Sequence, residues 1–135
     1  MTSTRGQLDW LLNDFVKATP GVRHCVVVSG DGLPLAASGQ VSTALADRLS
    51  AAASGLVSLA RGVATLLDAD PVTQTIVEMA GGYLFATAVS TGSTLVVHTE
   101  RQCDLGMIGY EMTVLAGSVG HALTPAVRRS SEASR

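Results

Sequence analysis

Five side chains in this 135-residue chain belong to the types that attack carbonyls or hold metals: His24, Cys25, His98, Cys103 and His121. A thiol nucleophile needs an imidazole base beside it, and a structural metal needs several such donors converging on one point. His24 and Cys25 are neighbours in an apolar, β-branched run, VRHCVVVS at 22–29. Successive side chains of a strand leave opposite faces, so these two cannot ligate one ion together. No C-x-x-C or H-E-x-x-H spacing occurs. Cys25 reads as a small hydrophobe with an unactivated thiol. Asp68 and Asp70 fall in a turn, while Glu78 and Glu100 are isolated, so no general acid–base pair emerges. The segment SGDGLPLAASG at 29–39 lacks the Gly-Lys-Ser/Thr of a P-loop and joins strand to strand rather than strand to helix. The chain does not read as an enzyme. It implies no catalytic residues, no cofactor and no metal.

Composition points instead to surfaces that something else covers. Apolar residues make up 47% of the chain and charged residues 15%, with a net charge of −2. That charge density lies below the ~25% typical of soluble domains. Low charge with many small apolar residues suggests a surface hidden by association. No basic cluster is present to neutralise phosphates, which argues against nucleic acid. No charge-free run of 18 or more apolar residues occurs, so no helix is expected to insert in a bilayer. The N-terminus, MTSTRGQLDW, lacks the basic and apolar regions of a signal peptide. Two cysteines without an export signal are most simply reduced thiols. The expected location is the cytoplasm, with membrane recruitment only through a partner.

The elements follow from periodicity. Residues 1–6 are polar and expected to be loose. Leu8, Leu11, Leu12, Phe15 and Val16 recur at helical spacing, and Pro20-Gly21 ends that helix. A strand at 22–29 is apolar on both faces and so covered on both. Asp31-Gly32 is a hairpin signal, and the return strand at 33–38 carries Pro34, which belongs at an edge or bulge. After a long helix come three strands, at 72–79, 83–89 and 94–99, in a meander. A last helix is expected from Leu105 to Leu123, capped by Asp104 and stopped by Thr124-Pro125. Its Gly106, Gly109, Gly117 and Gly120 suggest close packing, with the first helix as the natural neighbour. The expected single domain spans 7–128, with a disordered tail at 129–135.

The long helix, 42–67, is the central element. Wound at about 100° per residue, it separates a large apolar stripe from a small one. The large stripe is Leu45, Leu49, Ala52, Leu56, Leu59, Val63 and Leu67. The small stripe is Ala46, Ser50, Ala53, Val57, Ala60 and Ala64. The large stripe is expected to cover the domain's own sheet. The small stripe would then admit another backbone, making a self-association seam. Arginine at Ala53 would on that reading break a dimer and leave the protomer folded. Asp47, Ser54, Ser58, Arg61 and Thr65 form the polar remainder.

The element order and four strings coincide with a known family: LDWLLNDFVKATPGVRHCVVVSGDGLPLAAS at 8–38, VEMAGGYLFATAV at 77–89, DLGMIGYEM at 104–112 and VGHALTPAVR at 119–128. The chain resembles roadblock/dynein light chain proteins, in particular the actinobacterial members. That resemblance implies an α+β sandwich of order α-β-β-α-β-β-β-α, with a five-stranded antiparallel sheet in strand order 2-1-5-4-3. The middle helix would lie on one face and the terminal helices on the other. It implies a homodimer joined through the third strand, at Thr73, Gln74, Thr75 and Ile76, and through the middle helices. It also implies a regulator or scaffold for a Ras-like small GTPase, acting with a sensor-kinase-like protein. Asp47, Ser54, Ser58 and Arg61 are the expected partner-docking residues, with Arg61 favoured as a contact over an arginine finger. Two alternative readings remain: a PAS- or profilin-like small-ligand sensor, and a purely structural dimeric adaptor.

Overall fold

The computed structural model describes residues 4–133 apart from Thr91, and describes side chains only up to Thr124. Its elements are α1 (Thr4–Ala18), β1 (Val22–Val28), β2 (Pro34–Ala37), α2 (Thr43–Leu66), β3 (Gln74–Met79), β4 (Gly82–Ala88), β5 (Thr94–Thr99) and α3 (Leu105–Ala133). The five strands form one sheet in the order β2-β1-β5-β4-β3, antiparallel at every pairing. The order and the topology are those expected.

β1 explains why its sequence is apolar throughout. Cys25 and Val27 enter a core with Leu8, Leu12 and Phe15 of α1 and Ile108, Met112, Leu115 and Val119 of α3. Val26 and Val28 point the other way, into a second core with Ala53 of α2 and with Leu84, Ala86 and Val96. A bulge between Val22 and His24 lets Val22 join the first core. The sheet is thus a partition between α2 on one face and α1 with α3 on the other.

Local chemistry sets the ends of the elements. Ser42 caps α2, its hydroxyl accepting from the Leu45 N–H at 3.1 Å. Asp104 caps α3 by accepting from the Met107 N–H at 3.1 Å. The β1–β2 turn closes through the Ser29 N–H donating to the Leu33 carbonyl at 2.8 Å, with Gly32 at φ +82°. Pro34 lies on an edge strand opposite a bulge, where its missing donor costs no ladder bond.

Two boundary expectations and one packing expectation are corrected. Thr4–Gly6 are helical, whereas 1–6 was expected to be loose; residues 1–3 lie outside the described residues. α3 continues past Thr124-Pro125 to Ala133, and the tail positions 134–135 lie outside the described residues. Proline withholds only its own N–H, and just before it the Thr124 hydroxyl donates to the Gly120 carbonyl at 2.6 Å. The glycines of α3 do not pack as a set. Gly109 and Gly117 face open space, and only Gly120 is crowded, by Ser90 beyond the end of β4 rather than by α1.

Gly82 is the tightest backbone position. It sits at φ +141°, and a Cβ there would overlap the Thr99 carbonyl oxygen on β5. Gly82→Ala is expected to destabilise the fold by at least about 2 kcal/mol, whereas Gly81→Ala, with open space around it, shifts stability by less than about 1 kcal/mol. Urea unfolding of the two variants checks the contrast; equal effects would contradict this account of the turn.

Candidate interaction surface

α2 reverses the roles expected of its two apolar stripes. Ala46, Ser50, Ala53 and Ala64 are buried inside the protomer, and Val57 and Ala60 are half-buried beside them. The large residues lie outside: Leu59 is 72% exposed, Leu66 84% and Leu67 70%, with Leu45 and Val63 also exposed. The assignment of Ala46, Ser50, Ala53 and Ala64 to a surface between copies is therefore corrected. The reason is volume. The sheet presents Val26, Val28, Leu84 and Val96 to the helix, and close packing then leaves room only for alanine and serine on the helix side. That signal was present in the strands.

The outward leucine face carries one charge, since exposed Arg48 shares the helical angle of Leu66 and Leu59, whereas Asp47 and Arg61 lie elsewhere around the helix. Its inner border, Leu49 and Leu56, packs on the same cluster as Leu84 and Val77. The leucine face thus adjoins β3, an edge strand bonded only to β4. On β3, Ile76 and Met79 are exposed. Neither proline nor lysine blunts this edge. Among the expected interface positions, Thr73, Gln74 and Ile76 are exposed and Thr75 is half-buried. Gln74 Nε2 donates to Thr87 Oγ1 at 3.1 Å. Thr75 Oγ1 is buried with no hydrogen-bond partner, as is Ser50 Oγ. By length and composition alone α2 is apolar enough to cross a membrane, although Asp47, Arg48 and Arg61 interrupt it and leave no charge-free apolar run of 18 residues. Its small face, however, is occupied by the sheet.

The expected docking residues lie together only in part. Ser54 is half-buried, and its hydroxyl is close enough to Gly32 to crowd any Cβ there. Arg61 stands beside Ser54 and Val57, near the turns at Gly30 and Gly92 and close to Thr73 and Thr75. Asp47 and Ser58 are exposed on their own. The cavities flanking Arg61 measure about 10 and 20 Å³, room for about one water each and far below a ligand site.

The titratable groups form no reactive centre. Burial pushes the Cys25 thiol far above its ordinary range, so it stays protonated. Cys103 is half-buried and its thiol lies 3.7 Å from Thr99 Oγ1. Glu78 meets Arg101 at 3.2 Å and Glu100 meets Arg23 at 3.4 Å, both at the surface. Among the described residues, no group of three or more His, Cys, Asp or Glu could hold a metal. His24 and Cys25 do leave opposite faces of β1. The register of β1 with β5, however, sets His24 against His98, a pairing that sequence spacing does not reveal. Their Nδ1 atoms lie 3.0 Å apart, and the ring centres are 5.2 Å apart with planes within 8°. The centre separation is close to one Nδ1–Nδ1 distance plus two ring radii. The rings therefore meet edge to edge through an N–H···N bond rather than face to face. This bond needs at least one neutral Nδ1.

The comparisons with known proteins agree with this geometry. A model of the Roadblock/LC7 domain matches residues 8–99. The crystal structure of a Roadblock/LC7 domain from Streptomyces avermitilis is 35% identical, covering 86% of this chain and 97% of that one, with a TM-score of 0.82. The chain belongs to the Roadblock/LC7 family. Two structures of lower identity share the fold. Myxococcus xanthus MglB is 17% identical over 88% of this chain and 89% of its own, with a TM-score of 0.78. The gliding protein MglB of Thermus thermophilus is 14% identical over 90% and 92%, with a TM-score of 0.79. No protein of curated function matches. In this Roadblock/LC7 chain the sandwich, the strand order and the helix placement are as the resemblance implied.

Two outcomes test the surface. Ala53→Arg is expected to cost the protomer several kcal/mol, because a charge would enter a closed core, whereas Leu59→Glu leaves it within about 1 kcal/mol; thermal melts by circular dichroism compare them. His98 has its pKa lowered by desolvation first, then by the nearby His24 and Arg23. A depressed folded-state value means that the unfolded chain binds the proton first. The stability contributed by neutral His98 is thus complete above about pH 6.5 and is lost as pH falls from there through the folded value. An NMR titration should place His98 below the ordinary histidine value and move it back up in His24→Gln.

Proposed function

We propose that this Roadblock/LC7 chain is a non-enzymatic homodimeric platform that regulates or scaffolds a Ras-like small GTPase in the cytoplasm. One observation carries the reading: a row of exposed leucines on α2, interrupted by the single charge of Arg48 and continuous with an unprotected sheet edge at β3. In this reading two protomers lay their α2 leucine faces together and join β3 to β3. Thr73, Gln74, Thr75 and Ile76 contribute from the strand, and Leu45, Leu59, Val63 and Leu66 replace the small stripe as the helical seam. Burying such side chains contributes roughly 1.5–3 kcal/mol each, the scale that a stable dimer needs. Family membership and the shared fold of the two MglB structures support a GTPase as partner.

The polar margin of α2 would then meet the partner, with Asp47, Ser54, Ser58 and Arg61 as docking residues. Arg61 is the best placed of them, since it sits exposed beside the turns at Gly30 and Gly92 and close to Thr73. A sensor-kinase-like protein completes the proposed signalling unit and supplies any recruitment to a membrane. A small-ligand sensor is disfavoured, because the cavities beside Arg61, between α2 and the sheet, hold only about 10 and 20 Å³.

Light scattering should give a dimer mass at micromolar concentration. Leu59→Glu should weaken the dimer by about 100-fold or more, since the symmetric seam would bury a carboxylate from each copy. A wild-type monomer would sink the seam. GTP turnover by a Ras-like GTPase of the same organism, measured with and without this chain, tests the partner. Absence of binding in both nucleotide states would reject the GTPase reading and leave a structural adaptor.

A further inference from the structure

On the far side of the sheet from α2, α1 and α3 present a second surface that the proposed dimer leaves free. The two helices run antiparallel, since Gly21, just after α1, lies against Cys103 and Ile108 at the start of α3. A cavity of about 140 Å³ lies between them. Its walls are apolar, from Leu11, Phe15, Val114 and Leu115, and its polar margin is acidic, from Asp14 and Glu111. No basic residue lines it; Lys17, on the same helix as Asp14, is not part of the wall. The ion pairs among the described residues are Arg23–Glu100 and Arg101–Glu78, so neither Asp14 nor Glu111 has a counter-ion. Exposed large side chains adjoin the wall residues along the chain: Trp10, next to Leu11, at 64% exposure, Tyr110, next to Glu111, at 68%, and Val114 of the wall itself at 50%. None of these large side chains contributes to the buried core.

We propose that the α1/α3 groove, walled by Leu11, Val114, Asp14 and Glu111 and adjoined by Trp10 and Tyr110, docks a cationic amphipathic helix of a second protein. The groove spans about two helical turns on each side, from Leu11 to Thr19 and from Glu111 to Ser118. It therefore takes a helix whose apolar residues recur at i, i+3 or i+4, and i+7. Lysine or arginine beside that apolar row neutralises Asp14 and Glu111, two like charges on one groove that the protomer leaves uncompensated. Trp10 and Tyr110 supply rigid aromatic anchors and faces for cation–π contact. An acidic helix would add charge of the same sign. This surface does not depend on α2 or β3, so it stands or falls apart from the dimer.

Trp10 is the only tryptophan in the chain, which makes its fluorescence a site-specific reporter. The probe is a fourteen-residue peptide of leucine and lysine patterned as an amphipathic helix; the control replaces every lysine by glutamate. The lysine peptide should shift Trp10 emission to the blue, saturably, and the glutamate peptide should not. Asp14→Asn with Glu111→Gln, both near the surface and checked for folding by circular dichroism, should weaken binding by about fivefold or more at low salt. Leu59→Glu, which tests the α2 seam, should leave the Trp10 response unchanged. An unsaturable shift, an equal shift with the glutamate peptide, or unchanged affinity in the double variant would overturn the proposal. So would loss of the response in Leu59→Glu alone, because the peptide would then lie on α2.

Discussion

The contact between the small face of α2 and the valine-rich face of the sheet decides most of what this molecule can do. β1 and β5 are central strands and carry Val26, Val28 and Val96 toward the helix. β-Branched residues suit that position because they fill the pleated surface without losing rotamer freedom. Once the strands supply the volume, the helix can approach only through alanine and serine, and Ala46, Ser50, Ala53 and Ala64 are those residues. A helix has one rotation about its axis. Turning the small stripe inward turns Leu59, Val63 and Leu66 outward.

The sheet edges respond to the same constraint in different ways. β2 is four residues long and begins with Pro34 beside a bulge, all features that discourage a further strand. β3 is six residues long, pairs along its full length with β4, and has neither proline nor lysine. Its inner neighbours Val77 and Leu84 belong to the cluster that also holds Leu49 and Leu56. The open edge and the leucine face are therefore one surface rather than two. Association that satisfies the unpaired backbone groups of β3 would also bring the exposed leucines out of water.

Much of the architecture was legible because its signals are local. The β1 run, the Asp31-Gly32 turn, Pro34 on an edge, and the cap at Asp104 each depend on a few adjacent residues, and the structure keeps all of them. The strand order came from resemblance rather than from periodicity, which is silent about which strands become neighbours. What was misread was relational. The stripes of α2 were correctly separated, but choosing between them required knowing which strand residues face the helix, and that depends on register. The His24–His98 pair was hidden for the same reason: 74 residues separate its members, and only the β1–β5 ladder joins them. The glycines of α3 misled in the opposite direction, since a local cost suggested a neighbour that Gly109 and Gly117 do not have.

An exposed leucine on its own needs no explanation, because folded surfaces are largely apolar. The α2 face differs in its continuity, with Arg48 as its one charge. Polar residues at Leu59, Val63 or Leu66 would leave both cores untouched, since none of the three belongs to either. Intrinsic helix propensity does not call for these leucines, because glutamate, lysine and glutamine serve nearly as well in a helix. Their cost to the isolated protomer is an apolar patch in water. In the proposed dimer their compensating contribution comes from the second copy, joined along the adjoining open strand. The low charge of the chain, 15% overall, extends to α2, a 24-residue helix with three charged side chains.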